Sequence, residues 1–132
     1  MKKFVIRCPL SATMSFIGGK WKPVILWYIR KDPVRFGELK AKMPECSLKM
    51  FTQQLKELKA DGIVSRTIFP EVPLRVEYSM TEYGKTLLPV IKALRAWGVE
   101  YLISNPESAA ADTEWAIFLM NPENHEKLRK EE

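Results

Sequence analysis

Four side chains in the middle of this chain, Lys49, Thr52, Gln53 and Lys56, are spaced by three and four residues. On a helix that spacing lines them along one face. Together they offer the chemistry of groove recognition. A glutamine amide can pair at two points with adenine, an ammonium can donate to guanine or phosphate, and a threonine methyl can meet thymine. A solvated helix face has much the same composition, so the elements around it must decide.

Further cations stand where a phosphate backbone would suit them. Lys20, Lys22 and Arg35 fall at the starts of a second and a third helix. Free N–H groups there also attract anions, so these cations would position rather than specify. Arg66 and Arg75 fall on a hairpin, from which an arginine reaches a phosphate or the electronegative minor groove. Pairing with Glu71 or Glu77 is the competing use.

Cys8 follows Arg7 and precedes Pro9 at a helix start. Positive charge and a helix start both lower a thiol's pKa and raise its reactivity; the alternative is a packed structural thiol. Cys46, just ahead of Ser47, reads as a small buried hydrophobe. His125, the single histidine, lies in a charged tail and is expected to be solvated. One histidine remote from two cysteines leaves no nucleophile–base pair and no zinc set. Gly18-Gly19-Lys20 lacks the spacing of a phosphate loop, so no enzyme, metal or cofactor is expected. Trp21, Trp27, Tyr28, Trp97, Tyr101 and Trp115 read as core and interface, with the lining of a small-molecule pocket as the alternative.

Periodicity places these groups on elements. Ser11 is expected to cap a short helix ending at Gly18-Gly19, and Lys20–Arg30 forms a second. After the Asp32-Pro33 turn, Phe36–Met43 is a third, with Phe36, Leu39 and Met43 inward and Pro44 as its stop. Ser47 caps a longer helix through Ala60, whose inward stripe is Leu48, Phe51, Leu55 and Leu58; Asp61-Gly62 ends it. Ile63–Phe69 and Leu74–Met80 make a hairpin tipped by Pro70-Glu71-Val72-Pro73, with Val76, Tyr78 and Met80 inward. Thr81 and Glu82 open a long helix to about Ser104, where Pro89 imposes a kink or an early stop. An apolar helix over Thr113–Met120, a second cap at Asn121-Pro122 and a fraying charged end complete the chain. The fold class is mainly α with a small β-hairpin. A short helix, turn and longer helix followed by a hairpin is a winged helix-turn-helix. It occupies residues 1–104 with a long dimerisation helix, and residues 105–132 form a helical tail.

Length and charge agree with that plan. The 132 residues suit one core, with 46% hydrophobic and 28% charged residues. The net charge of +5 is uneven. Residues 1–44 hold ten basic groups and two acidic ones, whereas residues 81–132 hold six and nine. A basic front favours an anionic partner. No apolar run is long enough to span a membrane, and Arg7 cuts short what starts like a signal peptide. A cytoplasmic protein with reduced thiols is expected.

Eight short segments carry a further signal. They are Cys8-Pro9, Ile17-Gly18-Gly19-Lys20-Trp21-Lys22, Arg35-Phe36-Gly37-Glu38-Leu39, Lys49-Met50-Phe51-Thr52-Gln53-Gln54-Leu55, Leu58-Lys59-Ala60-Asp61-Gly62, Pro70-Glu71-Val72-Pro73, Val76-Glu77-Tyr78 and Leu94-Arg95-Ala96-Trp97-Gly98. As an ordered set over residues 8–104 the chain resembles HxlR-type winged-helix transcriptional regulators, relatives of the MarR family. The resemblance implies a homodimeric DNA-binding regulator with the Ser47–Ala60 helix in the major groove. It also implies that Cys8 occupies the place of the cysteine through which several members sense electrophiles or oxidants. Cys46 stands where the family usually has an aliphatic residue, and residues 105–132 match no pattern.

The expectation is a homodimer that pairs two recognition helices roughly 34 Å apart on a pseudo-palindromic operator in double-stranded DNA. Leu88, Ile91, Leu94, Trp97 and Tyr101 on the long helix are the expected dimer surface. A regulator answering a small molecule without a thiol switch, or a protein-interaction adaptor, is the alternative.

Overall fold

The computed structural model describes residues 7–109 and 114–131. The N-terminal arm ahead of Arg7 and the expected helix start at Thr113 lie outside the described residues. The chain divides into two compact units, residues 1–88 and 89–132. Among the described residues no helix is long and apolar enough to cross a membrane.

The first unit runs α1 (Pro9–Ile17), α2 (Lys22–Tyr28), β1 (Val34–Arg35), α3 (Phe36–Ala41), α4 (Leu48–Ala60), β2 (Val64–Phe69), β3 (Arg75–Met80) and α5 (Glu82–Lys85). Helix α1 starts ahead of the expected Ser11 cap. Pro9 takes its first position, where a missing N–H costs nothing, and Cys8 becomes the N-cap residue. Ile25 and Leu26 of α2, Leu39, Met43, and Phe51, Leu55 and Leu58 of α4 form the core. Cys46 is 1% exposed and belongs to it, as expected of a small hydrophobe in a packed turn. Leu48 departs from the inward stripe and is 59% exposed. As the first residue of α4 it sits beyond the reach of the core, about 60° around the helix from Phe51.

The sheet has three strands in the order β1-β3-β2, not two. Val34 pairs with Tyr78 and Arg35 with Glu77, so β3 is central and the hairpin is anchored just ahead of α3. Two residues are too short a strand to show alternation, so the sequence carries no signal for β1. Helix α4 ends as Gly62 takes φ +75°, with Gly62 N–H donating to Lys59 and Ile63 N–H to Leu58, each at 3.0 Å. The hairpin then closes at its base. Thr81 N–H donates to the Ile63 carbonyl at 3.0 Å, and the Thr81 hydroxyl reaches the Gly62 carbonyl at 2.6 Å. That hydroxyl also accepts from Gly84 N–H at 2.9 Å and so caps α5.

Pro89 produces the early stop rather than a kink: α5 ends at Lys85 and α6 (Leu88–Ser104) starts afresh with Pro89 in its first turn. The second unit comprises α6 from Pro89 onward, α7 (Glu114–Met120) and α8 (His125–Lys130), with 3-10 turns at Pro106–Ser108 and Pro122–Asn124. Val99, Leu119 and Leu128 form its buried cluster. The charged end, expected to fray, is helical over His125–Lys130. Arg129 binds Glu100 and Arg95 binds Glu131 at 2.7 Å, with the buried Leu128 next to Arg129 holding the tail where both pairs can form. His125 is likewise drawn in from solvent, its Nε2 lying 2.8 Å from the Leu119 carbonyl.

Candidate nucleic-acid interface

Ser47 fixes the start of α4, its hydroxyl accepting from Met50 N–H at 3.1 Å. With Phe51, Leu55 and Leu58 inward, Lys49, Thr52, Gln53 and Lys56 are all exposed on the far side, as the spacing requires. The hairpin stands beside this face. Between them lies one cleft of about 920 Å³, lined by Arg35, Thr52, Lys56, Lys59, Arg66 and Arg75 among others.

Local packing explains the convergence. Phe36 of α3 packs at 5.3 Å between ring centroids on Phe51 and at 6.3 Å on Tyr78, which joins α3 to both α4 and β3. Arg66 faces Tyr78 across the β2–β3 pair, so both side chains leave the sheet on the face toward the cleft. Arg66 is exposed, and among the described residues no ion pair engages it. Lys59 lies outside the four-residue row that the sequence marks on α4. Its step of three from Lys56 is the signal that would have found it.

Arg75 is the more committed arginine. Its guanidinium lies 3.1 Å from Glu71, 3.5 Å from Glu77 and 3.8 Å over the Phe69 ring. The competing use named from the sequence therefore operates at Arg75. Lys22 departs further from expectation. It is 7% exposed, and its ammonium lies 3.8 Å from Glu57 instead of facing outward at the start of α2. Burial obliges the charge to find a carboxylate, and Glu57 of α4 is the one at hand. Lys20 is exposed and stacks over Trp21 at 4.7 Å.

Cys8 is exposed at the open end of α1. The backbone amide of Ser11, then that of Leu10, faces its sulfur and holds the thiol below its ordinary pKa. In the second unit Leu94, Trp97 and Tyr101 are exposed, with Trp97 and Tyr101 stacked at 5.8 Å. Leu88 is half-buried and Ile91 is 2% exposed, so both are withdrawn from the expected outer surface by burial within their own chain.

Residues 16–106 match the HxlR-like helix-turn-helix family. Over 94 residues the chain is 43% identical to the uncharacterized HTH-type transcriptional regulator YdeP of Bacillus subtilis, covering 71% of this chain and 73% of that one. It is similar to the redox regulator HypR in its oxidised form, with TM-score 0.68 and 42% identity over 70% of this chain and 96% of that one. It is also similar to the reduced form of the transcriptional regulator YodB from Bacillus subtilis, with TM-score 0.61 and 34% identity over 73% of this chain and 95% of that one.

Proposed function

This chain belongs to the HxlR-like helix-turn-helix family and is a transcriptional regulator, not an enzyme, and from that premise we propose that two copies of it read a pseudo-palindromic stretch of duplex DNA. One observation carries the reading: Thr52, Lys56 and Lys59 of α4 line a single cleft with the wing arginine Arg66, and Lys49 and Gln53 are exposed on the same helix outside it. Thr52, Gln53 and Lys49 face base edges, while Lys56, Lys59, Arg35 and Arg66 hold phosphates on either side. Arg75, neutralised by Glu71 and Glu77, stiffens the wing more than it grips DNA. Leu94, Trp97 and Tyr101 of α6 form the dimer surface, since aromatic side chains this exposed are the usual anchors of a protein–protein contact. Selection of bound duplexes from a random library is the test. Two inverted half-sites about one helical turn apart are expected; a single half-site bound by one copy would overturn the dimeric reading.

A second reading concerns control. Cys8 is exposed with a lowered pKa while Cys46 is buried, and two similar structures are of proteins described as a redox regulator and as YodB. We propose that oxidants or electrophiles act on this regulator through Cys8. Operator affinity measured before and after quinone treatment tests it, with Cys8→Ser expected to abolish any response that Cys46→Ser retains.

A further inference from the structure

Among the described residues Lys22 is the single charged residue that is buried. An ammonium leaves water at a large cost unless a counter-charge meets it, so its placement needs a partner. Glu57 supplies one, Oε2 lying 3.8 Å from Lys22 Nζ. The same oxygen accepts from Gln54 Nε2 at 3.3 Å, and that amide also reaches Met50 Sδ at 3.4 Å. One edge of α4 is thereby paired with the start of α2 by a charge–charge contact to a buried ammonium.

Helix geometry gives that tie a consequence. At about 100° per residue, Glu57 stands about 40° around α4 from Gln53. A side-chain tip about 6 Å from the helix axis moves about 1 Å for every 10° of rotation, twice the roughly 0.5 Å within which a recognition group must be held. Phe51, Leu55 and Leu58 decide which face of α4 is buried, but packed hydrophobes tolerate small rotations by adjusting side chains. We infer that Lys22 is a positioning residue for base readout, acting through Glu57 to set the rotation of α4, and not a phosphate contact. The inference rests on the DNA-reading role proposed above.

The test compares full-length wild type, Lys22→Met, Glu57→Gln and the double variant. The probes are a duplex selected from a random library with the wild type and a shuffled duplex of equal length and composition. Methionine keeps most of the lysine stem and leaves the partly exposed Glu57 to water. Lys22→Met is expected to lower the ratio of the two affinities about tenfold. It should keep the wild-type slope of log affinity against log salt, and add nothing in the Glu57→Gln background. In the free protein, backbone amide shifts over Thr52–Lys56 should move while those at the wing tip stay. Should Lys22→Met fail to fold, Glu57→Gln at the exposed end of the pair carries the same expectations. A slope reduced by about 0.9 with the ratio intact would make Lys22 a phosphate contact and overturn the inference. Unmoved α4 shifts with an intact ratio would leave it a purely structural residue and overturn it equally. A wild type that binds both duplexes alike would refute the operator reading, whereas the shift measurement on free protein judges the tie between Lys22 and α4 separately.

Discussion

Arg129 of α8 grips Glu100 of α6 through two bonds, Nε to Oε1 at 2.6 Å and Nη2 to Oε2 at 3.1 Å. Arg129 also donates to Glu126 at 2.7 Å, so one guanidinium bridges two carboxylates. The hydrogen bond from Arg129 holds the Glu100 carboxyl below its ordinary pKa. A depressed carboxylate pKa means that the folded tail favours the charged form. Its contribution is present above the ordinary carboxylate range and is lost as pH falls through the lower folded value. Amide protection of α8 should therefore drop on acidification below about pH 4, and Glu100→Gln should start low and lose that step. Hydrogen exchange measured against pH checks both.

The tail also depends on its small core. Leu128→Ala removes one of three buried side chains in the cluster with Val99 and Leu119, and should cost about 2–3 kcal/mol of local stability. Exchange protection over α7 and α8 should fall, while that of α4 in the first unit stays.

Salt dependence separates the wing arginines. Lys56→Ala and Arg66→Ala should each reduce the slope of log affinity against log salt by about 0.9. Arg75→Ala should reduce it by much less, because Glu71 and Glu77 already neutralise that guanidinium. Gln53→Ala should blur preference at one base pair and leave the slope alone. Titrations at several salt concentrations provide each slope.

The lowered pKa of Cys8 makes a kinetic difference between the two thiols. More of Cys8 is thiolate at neutral pH than in an ordinary cysteine, so its alkylation by iodoacetamide should persist to lower pH. Cys46, buried in the turn before α4, should react only as the unit unfolds. Mass spectrometry of timed samples resolves the two.

The proposed dimer through α6 predicts that a charge on that helix's outer face separates the two copies. Trp97, at 72% exposure, is the residue for the experiment. Trp97→Glu is expected to sediment as a folded monomer whose operator affinity falls at least a hundredfold, since each copy then holds one half-site alone.

The caps of α4 and most of its buried stripe are legible because they are local, whereas Ser11 does not cap α1 and Leu48 leaves the stripe. Ser47, Gly62 and the row Phe51, Leu55, Leu58 do in the fold what their types and spacing announce. What stayed hidden depends on distant partners. Whether Lys22 faces solvent is decided by Glu57, which lies 35 positions away on another helix. Strand β1 exists because β3 offers it an edge, and no periodicity precedes that pairing. The charged end of the chain looked free to fray, yet Leu128 had a cluster to join and Arg129 a carboxylate to hold. The outward row on α4 is visible in the sequence; the company of its Thr52 and Lys56 with Arg35 and Arg66 requires the fold.

The bonds from Thr81 to Gly62 and Ile63 also bear on how such a protein can change over generations. They close the hairpin where it leaves the body, and the pairing of β3 with β1 holds Glu77 and Tyr78, so the tip projects from a fixed base. Adding residues at Glu71–Leu74 costs only about 0.6 kcal/mol for each doubling of the loop. The end of α4 stays pinned meanwhile. A lineage can therefore try longer or shorter tips, and so new reaches along a duplex, without spoiling the helix it already has.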